Sequence, residues 1–323
     1  MSKRILVTGG SGFIGTNLIE YYKKNNYSIL NIDIVAPLNK THLEFYEQID
    51  ILNREKFIKK VQEFKPDYVV HLAAKADLLG KTFEYYNANI DGVKNLVEAV
   101  NKTPSVKKLI AASTMLVCEV GYIPAHDNDY KATTLYGQSK VETEEIIKNS
   151  KVNCDWIIIR PTSIWGPWIV NTSYRPFFEM ILKEKYFDIG KKRTSTKTYG
   201  FVLNSVFQID KLLNSDTKSK VFYIGDKPSY NISNWAEAIA EEANKKKPKK
   251  IPFFIVKIAA LSGDFLSFFK VSFPLNSFRL KNMTKDNECN VDNTYNIAGN
   301  PQYSMRDGVK ITLDWFKTFY SKS

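Results

Sequence analysis

The first half of the chain alternates short apolar runs with segments whose apolar residues recur every three or four positions. Five runs have the length and composition of strands buried on both faces, as in a parallel sheet. They lie at residues 4–8, 28–34, 68–74, 108–113 and 156–161. Helical spacing lies between them, for example at Ile14, Leu18 and Tyr22 and at Val93, Val97 and Val100. The alternation predicts an α/β fold with a doubly wound parallel sheet and right-handed crossovers.

The second half is less regular and richer in aromatic residues. A strand is predicted at 221–226 and a helix at 233–245. We therefore expect a sheet domain over residues 1–163, to which a segment at about 199–226 returns, and a smaller C-terminal lobe over 164–323 that mainly binds substrate. No internal repeat or low-complexity linker divides the two.

The charge balance is basic, with 46 Lys and Arg against 34 Asp and Glu and a formal net charge of +12. Such a charge favours anionic ligands or surfaces. We predict no nucleic-acid partner, because no basic stripe with interleaved aromatic residues is present. The compact lysine run at 245–250 precedes an apolar stretch at 251–274, which Lys257, Asp264 and Lys270 interrupt. This stretch does not fit a membrane-spanning helix, so any membrane contact is expected to be peripheral.

Cysteine and histidine usage predicts neither a disulfide framework nor a metal site. The three cysteines lack the C-x-x-C spacing of a zinc or redox motif, and the three histidines are scattered. The sequence runs into its first strand without a signal-peptide pattern, so we expect a protein of the reducing cytoplasm.

A glycine-rich turn follows the first strand and opens the first helix, in the sequence TGGSGFIG at 8–15. Gly9 permits the tight turn, Gly12 lets backbone approach a pyrophosphate, and Gly15 allows close packing of helix on sheet. The amino end of the helix then faces the phosphates with free N–H groups. Strand, turn and helix together are the fingerprint of a dinucleotide-binding Rossmann sheet.

An acidic residue, Asp33, ends the second strand at the offset expected for a ribose ligand. Its carboxylate would accept hydrogen bonds from the ribose hydroxyls and repel a 2′-phosphate. Residues 34–37 contain no Arg that would accommodate that phosphate. The sequence therefore predicts NAD rather than NADP as cofactor.

A tyrosine and a lysine, Tyr136 and Lys140, are four residues apart in a predicted amphipathic helix, which places them on one face. A phenol has a pKa of about 10, and a neighbouring ammonium group favours its ionised form. With the positive nicotinamide of NAD⁺ added, Tyr136 becomes a plausible proton shuttle.

Together these motifs resemble those of the extended short-chain dehydrogenase/reductase superfamily, in particular the NAD-dependent sugar epimerase/dehydratase family. The resemblance covers most of the chain. Besides Asp33, it rests on TGGSGFIG at 8–15, Asp50-Ile51, HLAA at 71–74, Asn89-Ile-Asp-Gly92, Ser113-Thr114, YGQSK at 136–140 and RPTSIWGP at 160–167.

The resemblance implies a role for each matching position. Thr114 would polarise the reacting hydroxyl, Tyr136 would be the acid/base, and Lys140 would hold the nicotinamide ribose. Asp50 and Ile51 would flank the adenine. The full set of implied cofactor-binding residues is Gly9, Gly12, Phe13, Ile14, Gly15, Asp33, Asp50, Ile51, Ala73, Ala74, Lys140 and Pro161.

Departures from the family pattern bear on the reaction and the substrate. Sugar dehydratases of this family place Asp-Glu after the Thr, where this chain has Met115 and Leu116, so dehydration is disfavoured. Ser163 stands in place of a frequent substrate-contacting Asn, and Thr198 in place of a frequent Arg. Arg279 matches another Arg that binds phosphate in relatives. Thr114, Ser163 and Arg279 are therefore the predicted substrate-binding residues.

The resemblance implies an NAD-dependent epimerase or oxidoreductase that transfers hydride at a hydroxyl-bearing carbon of a nucleotide- or lipid-linked sugar. It also implies a homodimer that pairs helices near 83–101 and 135–150. A keto-sugar reductase or dehydrogenase remains an alternative. So does a 3β-hydroxysteroid dehydrogenase-like enzyme, whose pocket Trp165, Trp168, Phe177 and Phe178 would line. A non-enzymatic NAD-binding scaffold would have no use for a matched acid/base set.

Overall fold

A seven-stranded parallel sheet forms the centre of the chain, which this computed structural model describes over residues 2–170, 172, 174–190, 193–268 and 277–320. The strands of the described chain, inside and outside this sheet, are β1 (Arg4–Thr8), β2 (Ser28–Asp33), β3 (Tyr46–Gln48), β4 (Tyr68–His71), β5 (Lys108–Ala112), β6 (Asp155–Pro161), β7 (Ser163–Trp165), β8 (Phe187–Asp188), β9 (Thr196–Lys197), β10 (Tyr199–Phe201), β11 (Lys220–Ile224), β12 (Tyr230–Asn231) and β13 (Lys249–Lys250). The sheet order β11-β6-β5-β4-β1-β2-β3 confirms the predicted doubly wound α/β fold.

Helices cover both faces of this sheet. The helices of the described chain, on the sheet and in the lobe, are α1 (Phe13–Lys24), α2 (Arg54–Phe64), α3 (Asn87–Asn101), α4 (Leu135–Asn149), α5 (Tyr174–Leu182), α6 (Val202–Leu213), α7 (Ile232–Glu242), α8 (Phe253–Phe268), α9 (Ser277–Thr284), α10 (Asp292–Ala298) and α11 (Met305–Tyr320). Ile5 and Val7 of β1 pack with α1 and α6, whereas Leu6 packs with α2 and α3 on the other face. This alternation follows from the two-residue period of a strand.

The predicted strands agree with the structure at β1 and differ elsewhere by one to three residues at their ends. The edge strand β3 was not predicted, because Tyr46–Gln48 is short and carries no apolar run. At the opposite edge, β11 pairs in parallel with β6. The chain therefore returns to the sheet after it has contributed β7 and α5 to the lobe.

The lobe has an aromatic core of its own. Trp165, Phe177 and Phe178 are buried there with Trp235, whose ring centroid lies 4.9 Å from those of Trp165 and Phe177. Trp168 packs instead against Trp315 at 5.7 Å. The aromatic residues considered for an apolar substrate pocket are thus engaged in packing the lobe.

No helix within the described ranges is long and apolar enough to cross a membrane.

Candidate active site

The glycine-rich turn packs directly against the chain that leaves β4. Gly9 has a φ of 73°, and a Cβ atom built there would lie 2.5 Å from the backbone nitrogen of Ala73. A Cβ at Gly15 would lie 2.3 Å from the Gly9 carbonyl oxygen. Both positions therefore require glycine, one for its backbone conformation and both for space.

Gly12 occupies the N-cap position of α1 and contributes no side-chain acceptor to the amino end of this helix. A Cβ atom at Gly12 would meet, within 4 Å among the described atoms, the Gly9 oxygen at 3.2 Å. The turn therefore has an open side where the N–H groups of a helix start without a side-chain cap. Such a cradle fits a pyrophosphate, since those groups and the helix dipole favour negative charge.

Asp33 lies beside this cradle at the end of β2. Its Oδ2 accepts a hydrogen bond from the Ser11 backbone nitrogen at 3.0 Å, and its Oδ1 accepts one from Val35 at 3.2 Å. Burial raises the pKa of the carboxyl despite these bonds, which act in the opposite direction. The carboxylate thus holds the glycine-rich turn in place as well as standing where a ribose ligand is expected.

The other predicted cofactor residues lie at the same edge of the sheet, where parallel strands end. Ala73 and Ala74 follow β4, and Pro161 ends β6. Ile51 is buried against α3, since a Cβ at Gly92 would meet its side chain at 2.5 Å. Asp50 is exposed, and its Oδ1 accepts a hydrogen bond from the Leu52 nitrogen at 2.9 Å.

Two of the three predicted catalytic side chains are hydrogen-bonded to each other. Tyr136 lies in the first turn of α4, whose N-cap Thr134 accepts a hydrogen bond from Gly137 at 3.0 Å. The phenol hydroxyl of Tyr136 shares a hydrogen bond with the hydroxyl of Thr114. Thr114 itself caps the short 3₁₀ turn after β5 and accepts a bond from the Leu116 nitrogen at 3.2 Å. Helix start and strand end thus bring these hydroxyls together.

The pKa of Tyr136 in the free protein is governed by burial. Burial raises the pKa of the phenol to about 12, although the hydrogen bond with Thr114 lowers it. Desolvation of the phenolate therefore outweighs the favourable groups around it in the free protein. The lowered pKa expected from the sequence relies on the positive nicotinamide of NAD⁺ as well as on the neighbouring cation, and it stays a prediction for the NAD⁺-bound site.

Lys140 lies one helical turn after Tyr136 and is 1% exposed. Burial lowers the pKa of its ammonium to about 8, while the charge of Glu144 acts to raise it. His71 lies close enough for the charge of Lys140 to act on it: burial, and then Lys140, lower the His71 pKa to about 3. The lysine thus lies in a dry site at the end of β4.

Half of the hydrogen-bonding capacity of the His71 ring is satisfied. Its Nδ1 lies 2.7 Å from the Thr8 hydroxyl, whereas its Nε2 is buried without a hydrogen-bond partner among the described residues. With a pKa this low the ring is neutral at neutral pH. His71 is therefore a buried histidine that is satisfied at one nitrogen, between β1 and the site.

A buried ion pair behind Lys140 was not predicted from the sequence. Both carboxylate oxygens of Glu144 accept hydrogen bonds from Arg160 of β6, each at 2.8 Å. The Tyr130 hydroxyl donates to Glu144 at 3.0 Å, and Lys148 lies 3.1 Å from the same oxygen. Burial raises the pKa of Glu144, but Arg160 outweighs it and the net shift is downward. Glu144 is therefore charged at neutral pH.

A signal for this pair is visible in the spacing. Tyr136, Lys140 and Glu144 follow one another at intervals of four and so share a face of α4. Arg160, the partner of Glu144 on β6, could not be inferred from this spacing, because the two residues meet only in the tertiary fold.

A set of hydrogen bonds around Asn89, also not predicted, holds α4 against the loop after β4. The side chain of Asn89 accepts a hydrogen bond from the Lys75 nitrogen at 2.8 Å and donates to the Ser139 hydroxyl at 2.9 Å. The Asn89 carbonyl accepts one from Thr143 at 2.6 Å. These bonds fix the face of α4 that carries Tyr136 and Lys140.

The lobe closes over the segment that follows Thr114. The Asn287 side chain accepts a hydrogen bond from the Gly121 nitrogen at 2.8 Å and donates to the Met115 sulfur at 3.6 Å. Thr198 is buried, and its hydroxyl accepts a bond from the Cys289 nitrogen at 2.9 Å. The predicted substrate site therefore lies between the sheet edge and this part of the lobe.

The predicted substrate residues differ in what the structure describes. Ser163 is buried on β7 and shares a hydrogen bond with the Tyr174 hydroxyl. Thr114 lies at the site, as described above. The side chain of Arg279 lies outside the described residues.

Known proteins resemble this chain in sequence and in fold. A model of the NAD dependent epimerase/dehydratase family matches residues 5–225, well over half of the chain. The chain belongs to this family. The predicted recognition, the NAD cofactor and an enzyme that transfers hydride at a hydroxyl-bearing carbon of a sugar are thereby confirmed.

Individual relatives extend the likeness to the whole chain. The N-acetyl-alpha-D-glucosaminyl-diphospho-ditrans,octacis-undecaprenol 4-epimerase of Escherichia coli O157:H7 is 26% identical over 98% of this chain and 96% of its own length. A 3-beta-hydroxysteroid dehydrogenase of Mycolicibacterium neoaurum is 27% identical over 76% of this chain and 71% of its own. The fold matches the crystal structure of UDP-glucuronic acid 4-epimerase from Bacillus cereus in complex with NAD, with a TM-score of 0.75, 21% identity and coverage of 98% and 99%.

Proposed function

We propose that this family member inverts the C4 hydroxyl of a sugar that is carried on a diphosphate. The observation that carries the proposal is the buried set of Thr114, Tyr136 and Lys140, which follows β5 at the same edge of the sheet as the glycine-rich turn after β1. The C4 position is taken from the names of those relatives that are 4-epimerases. The diphosphate follows the names of two of them, one linked to undecaprenol and the other to uridine.

Each side chain of the set has a separate task in the proposal. Tyr136 accepts the proton of the sugar hydroxyl through its phenol oxygen and later returns it. Thr114, hydrogen-bonded to that phenol, orients the sugar hydroxyl toward it. Lys140 holds the nicotinamide ribose and places a positive charge beside the phenol. Bound NAD supplies the hydride acceptor and donor. The positive charges at the site oppose the burial that raises the Tyr136 pKa.

The remaining cofactor contacts are assigned by position. The first turn of α1, with Gly12, Phe13 and Ile14, would hold the pyrophosphate, and Asp33 the adenosine ribose. Asp50 and Ile51 would border the adenine at the carboxyl end of β3. Ala73, Ala74 and Pro161 would line the path from there to the nicotinamide end.

The lipid-linked carrier has specific support. The undecaprenol-linked relative aligns over almost all of both chains, including the lobe where the carrier would bind. The uridine-linked enzyme shares the fold at lower identity. The assignment of Ser163 and Arg279 to substrate binding is part of the same proposal.

A stereochemical assay with a substrate panel tests the proposal. The protein is incubated with NAD⁺ and UDP-glucose, UDP-N-acetylglucosamine, UDP-glucuronic acid or polyprenyl-diphosphate-linked N-acetylglucosamine. Sugar configuration is followed by NMR and NADH by absorbance at 340 nm. We expect a C4 epimer to accumulate without net NADH. Net NADH would indicate a dehydrogenase instead, and an unchanged panel would contradict the proposal.

Two other reactions fit less well. Met115 and Leu116 follow Thr114, and neither side chain can transfer the protons that dehydration requires. The steroid dehydrogenase relative aligns over three quarters of the chain. Of the aromatic residues that would form a steroid pocket, Trp165, Phe177 and Phe178 are packed in the lobe core, and Trp168 packs against Trp315.

The same proposal includes a homodimer in the cytoplasm, with peripheral membrane contact. Helices α3 and α4 pack side by side and would pair with their counterparts across a two-fold axis. The sheet domain over residues 1–163 would bind NAD and the lobe the substrate. Light scattering after size exclusion tests the oligomeric state, and a monomer at all concentrations would contradict the dimer.

A further inference from the structure

Helix α8 exposes large apolar side chains along one face. Phe254, Ile258 and Leu261 are 64%, 60% and 55% exposed, and their spacing of four and three residues places them on one stripe. Ala260 and Gly263, on the other side of the helix, are buried. The helix therefore packs on the protein through small residues and presents its bulky ones to the outside.

This arrangement is the reverse of an ordinary surface helix, which buries its apolar stripe. Single exposed apolar residues are common, but a continuous stripe marks an interaction site. At 1.5 Å per residue, the 16 residues of α8 extend over about 24 Å. Lys257 and Asp264 border the stripe on one side and do not interrupt it.

A cluster of positive charge adjoins the amino end of α8. Five lysines of the run at 245–250 are exposed: Lys245, Lys246, Lys247, Lys249 and Lys250. Strand β13 places Lys249 next to Phe187 of β8, which is 51% exposed. The guanidinium carbon of Arg193 lies 5.2 Å from the centre of the Phe253 ring, at the start of the helix. Apolar and cationic groups are thus combined on one surface.

We propose that this surface, formed by α8 and the lysine run, docks on an anionic lipid bilayer. The apolar stripe would enter the boundary between headgroups and acyl chains, and the lysines would contact the acidic headgroups. Acidic headgroups complement the lysine run, whereas parallel pairing of α8 with a second copy of the chain would bring two lysine runs together. The docking does not depend on the epimerase reaction, although a lipid-carried substrate would be met at the same surface.

Vesicle flotation with the full chain tests the docking. Vesicles of phosphatidylcholine alone are compared with vesicles that also contain phosphatidylglycerol, at low salt. We expect binding to the anionic vesicles that weakens as salt is added. The variant F254Q/I258Q should lower the partition coefficient on the order of 100-fold, because two bulky side chains no longer enter the bilayer. Its matched control, L38Q/L43Q, changes two exposed leucines elsewhere and should bind like the wild type.

The lysine run is tested separately. The variant K246Q/K249Q/K250Q should lower partition onto anionic vesicles on the order of 100-fold. The matched control changes three exposed lysines outside the surface, Lys59, Lys65 and Lys151. Turnover of a water-soluble nucleotide sugar should stay within about twofold in all four variants, since the changed residues are exposed and none is assigned to the cofactor or substrate. This readout separates failure of docking from failure of the proposed reaction.

Three results would overturn the docking. One is the absence of flotation with anionic vesicles at low salt. Another is binding that K246Q/K249Q/K250Q abolishes but F254Q/I258Q leaves unchanged, which would indicate charge attraction without insertion of α8. The third is concentration-dependent self-association that F254Q/I258Q removes, which would assign the stripe to a second copy of the chain.

Discussion

Helices α4 and α8 use the same spacing for opposite purposes. Along α4, Tyr136, Lys140 and Glu144 follow at intervals of four and are buried, although all three side chains are polar. Along α8, Phe254 and Ile258 are also four apart and are exposed, although both are apolar. Each helix departs from the usual partition of polar groups to water and apolar groups to the core.

The difference lies in where the partner of each stripe is found. The buried stripe of α4 is satisfied within the fold, by Thr114 at one end and Arg160 at the other. The stripe of α8 is more than half exposed among the described residues, and the proposed partner is a bilayer outside the fold. Helices that bury polar residues or expose apolar ones are therefore candidates for functional sites. The free energy of unfolding distinguishes the two cases: it should fall when the buried stripe is changed and stay nearly constant when the exposed stripe is changed.

Removal of the phenol hydroxyl gives the largest expected effect. Tyr136→Phe should lower kcat by about 10³-fold or more, because the proton acceptor at the sugar hydroxyl is lost. Affinity for NAD⁺ should change little, since the phenol is not assigned a cofactor contact. Epimer formation and NAD⁺ titration calorimetry measure the two effects. Tyr85→Phe removes an exposed phenol hydroxyl as the matched control, and equal activity of both variants would contradict the role of Tyr136.

The inner end of the α4 stripe is tested by Glu144→Gln. The change leaves the Arg160 guanidinium buried without its counter-charge, so the free energy of unfolding should fall by about 3–5 kcal/mol. Urea denaturation measures it. The adjacent Glu145→Gln alters an exposed carboxylate of the same helix and should cost less than about 0.5 kcal/mol. Similar losses for the two variants would show that the buried pair contributes nothing specific.

The buried histidine predicts a pH dependence of stability. The folded protein holds His71 neutral with a pKa of about 3, against 6.5 for an unperturbed ring. Between these values the unfolded chain binds the additional proton, so stability falls as pH falls from 6.5 toward 3. The contribution is about 1.4 kcal/mol per pH unit. In urea denaturation at a series of pH values, His71→Leu should show a smaller slope than the wild type.

The control for this slope is the exposed His126. His126→Gln should keep the wild-type pH slope. A His71→Leu slope equal to that of the wild type would assign acid sensitivity to other groups.

The smallest effect is expected on α8. Ile258→Gln should change the free energy of unfolding by less than about 0.5 kcal/mol, because the side chain is exposed. Ile147→Gln, in the fully buried face of α4, should cost at least about 3 kcal/mol. Urea denaturation of both measures the contrast. A large loss at Ile258 would mean that the stripe belongs to the folding core.

The sheet could be predicted because most of its strands are apolar runs in the sequence and its first turn is a glycine-rich motif. The run at 4–8 coincides with β1, and the helix pattern from Phe13 coincides with α1. The edge strand β3 escaped prediction, since two of its three residues, Glu47 and Gln48, are polar. Edge strands need not be apolar on both faces, so periodicity fails there first.

The site was predictable where the chemistry is local in sequence. Tyr136 and Lys140 are four residues apart in one helical motif, so the sequence alone places them on the same face of the helix. Arg160 and Asn89 could not be assigned, because their contacts join elements that are distant in sequence. The burial that raises the pKa of Tyr136 in the free protein could not be read from the spacing, because it depends on tertiary packing.

The apolar stretch at 251–274 shows a further limit. Its charges predicted that it does not span a membrane, and no helix among the described residues is long and apolar enough to do so. Which side of α8 faces water depends on the small residues Ala260 and Gly263, whose packing is a tertiary property. Residues 269–274 lie outside the described chain.

The double duty of Asp33 constrains any redesign of cofactor preference. Replacing it to admit NADP would also remove the acceptors for the Ser11 and Val35 nitrogens. Loss of the carboxylate would therefore loosen the phosphate-binding turn while it relieves repulsion. The exposed neighbours Ile34 and Val35 offer room for an arginine. A successful exchange would combine an arginine there with a residue at 33 that still accepts a hydrogen bond from the turn.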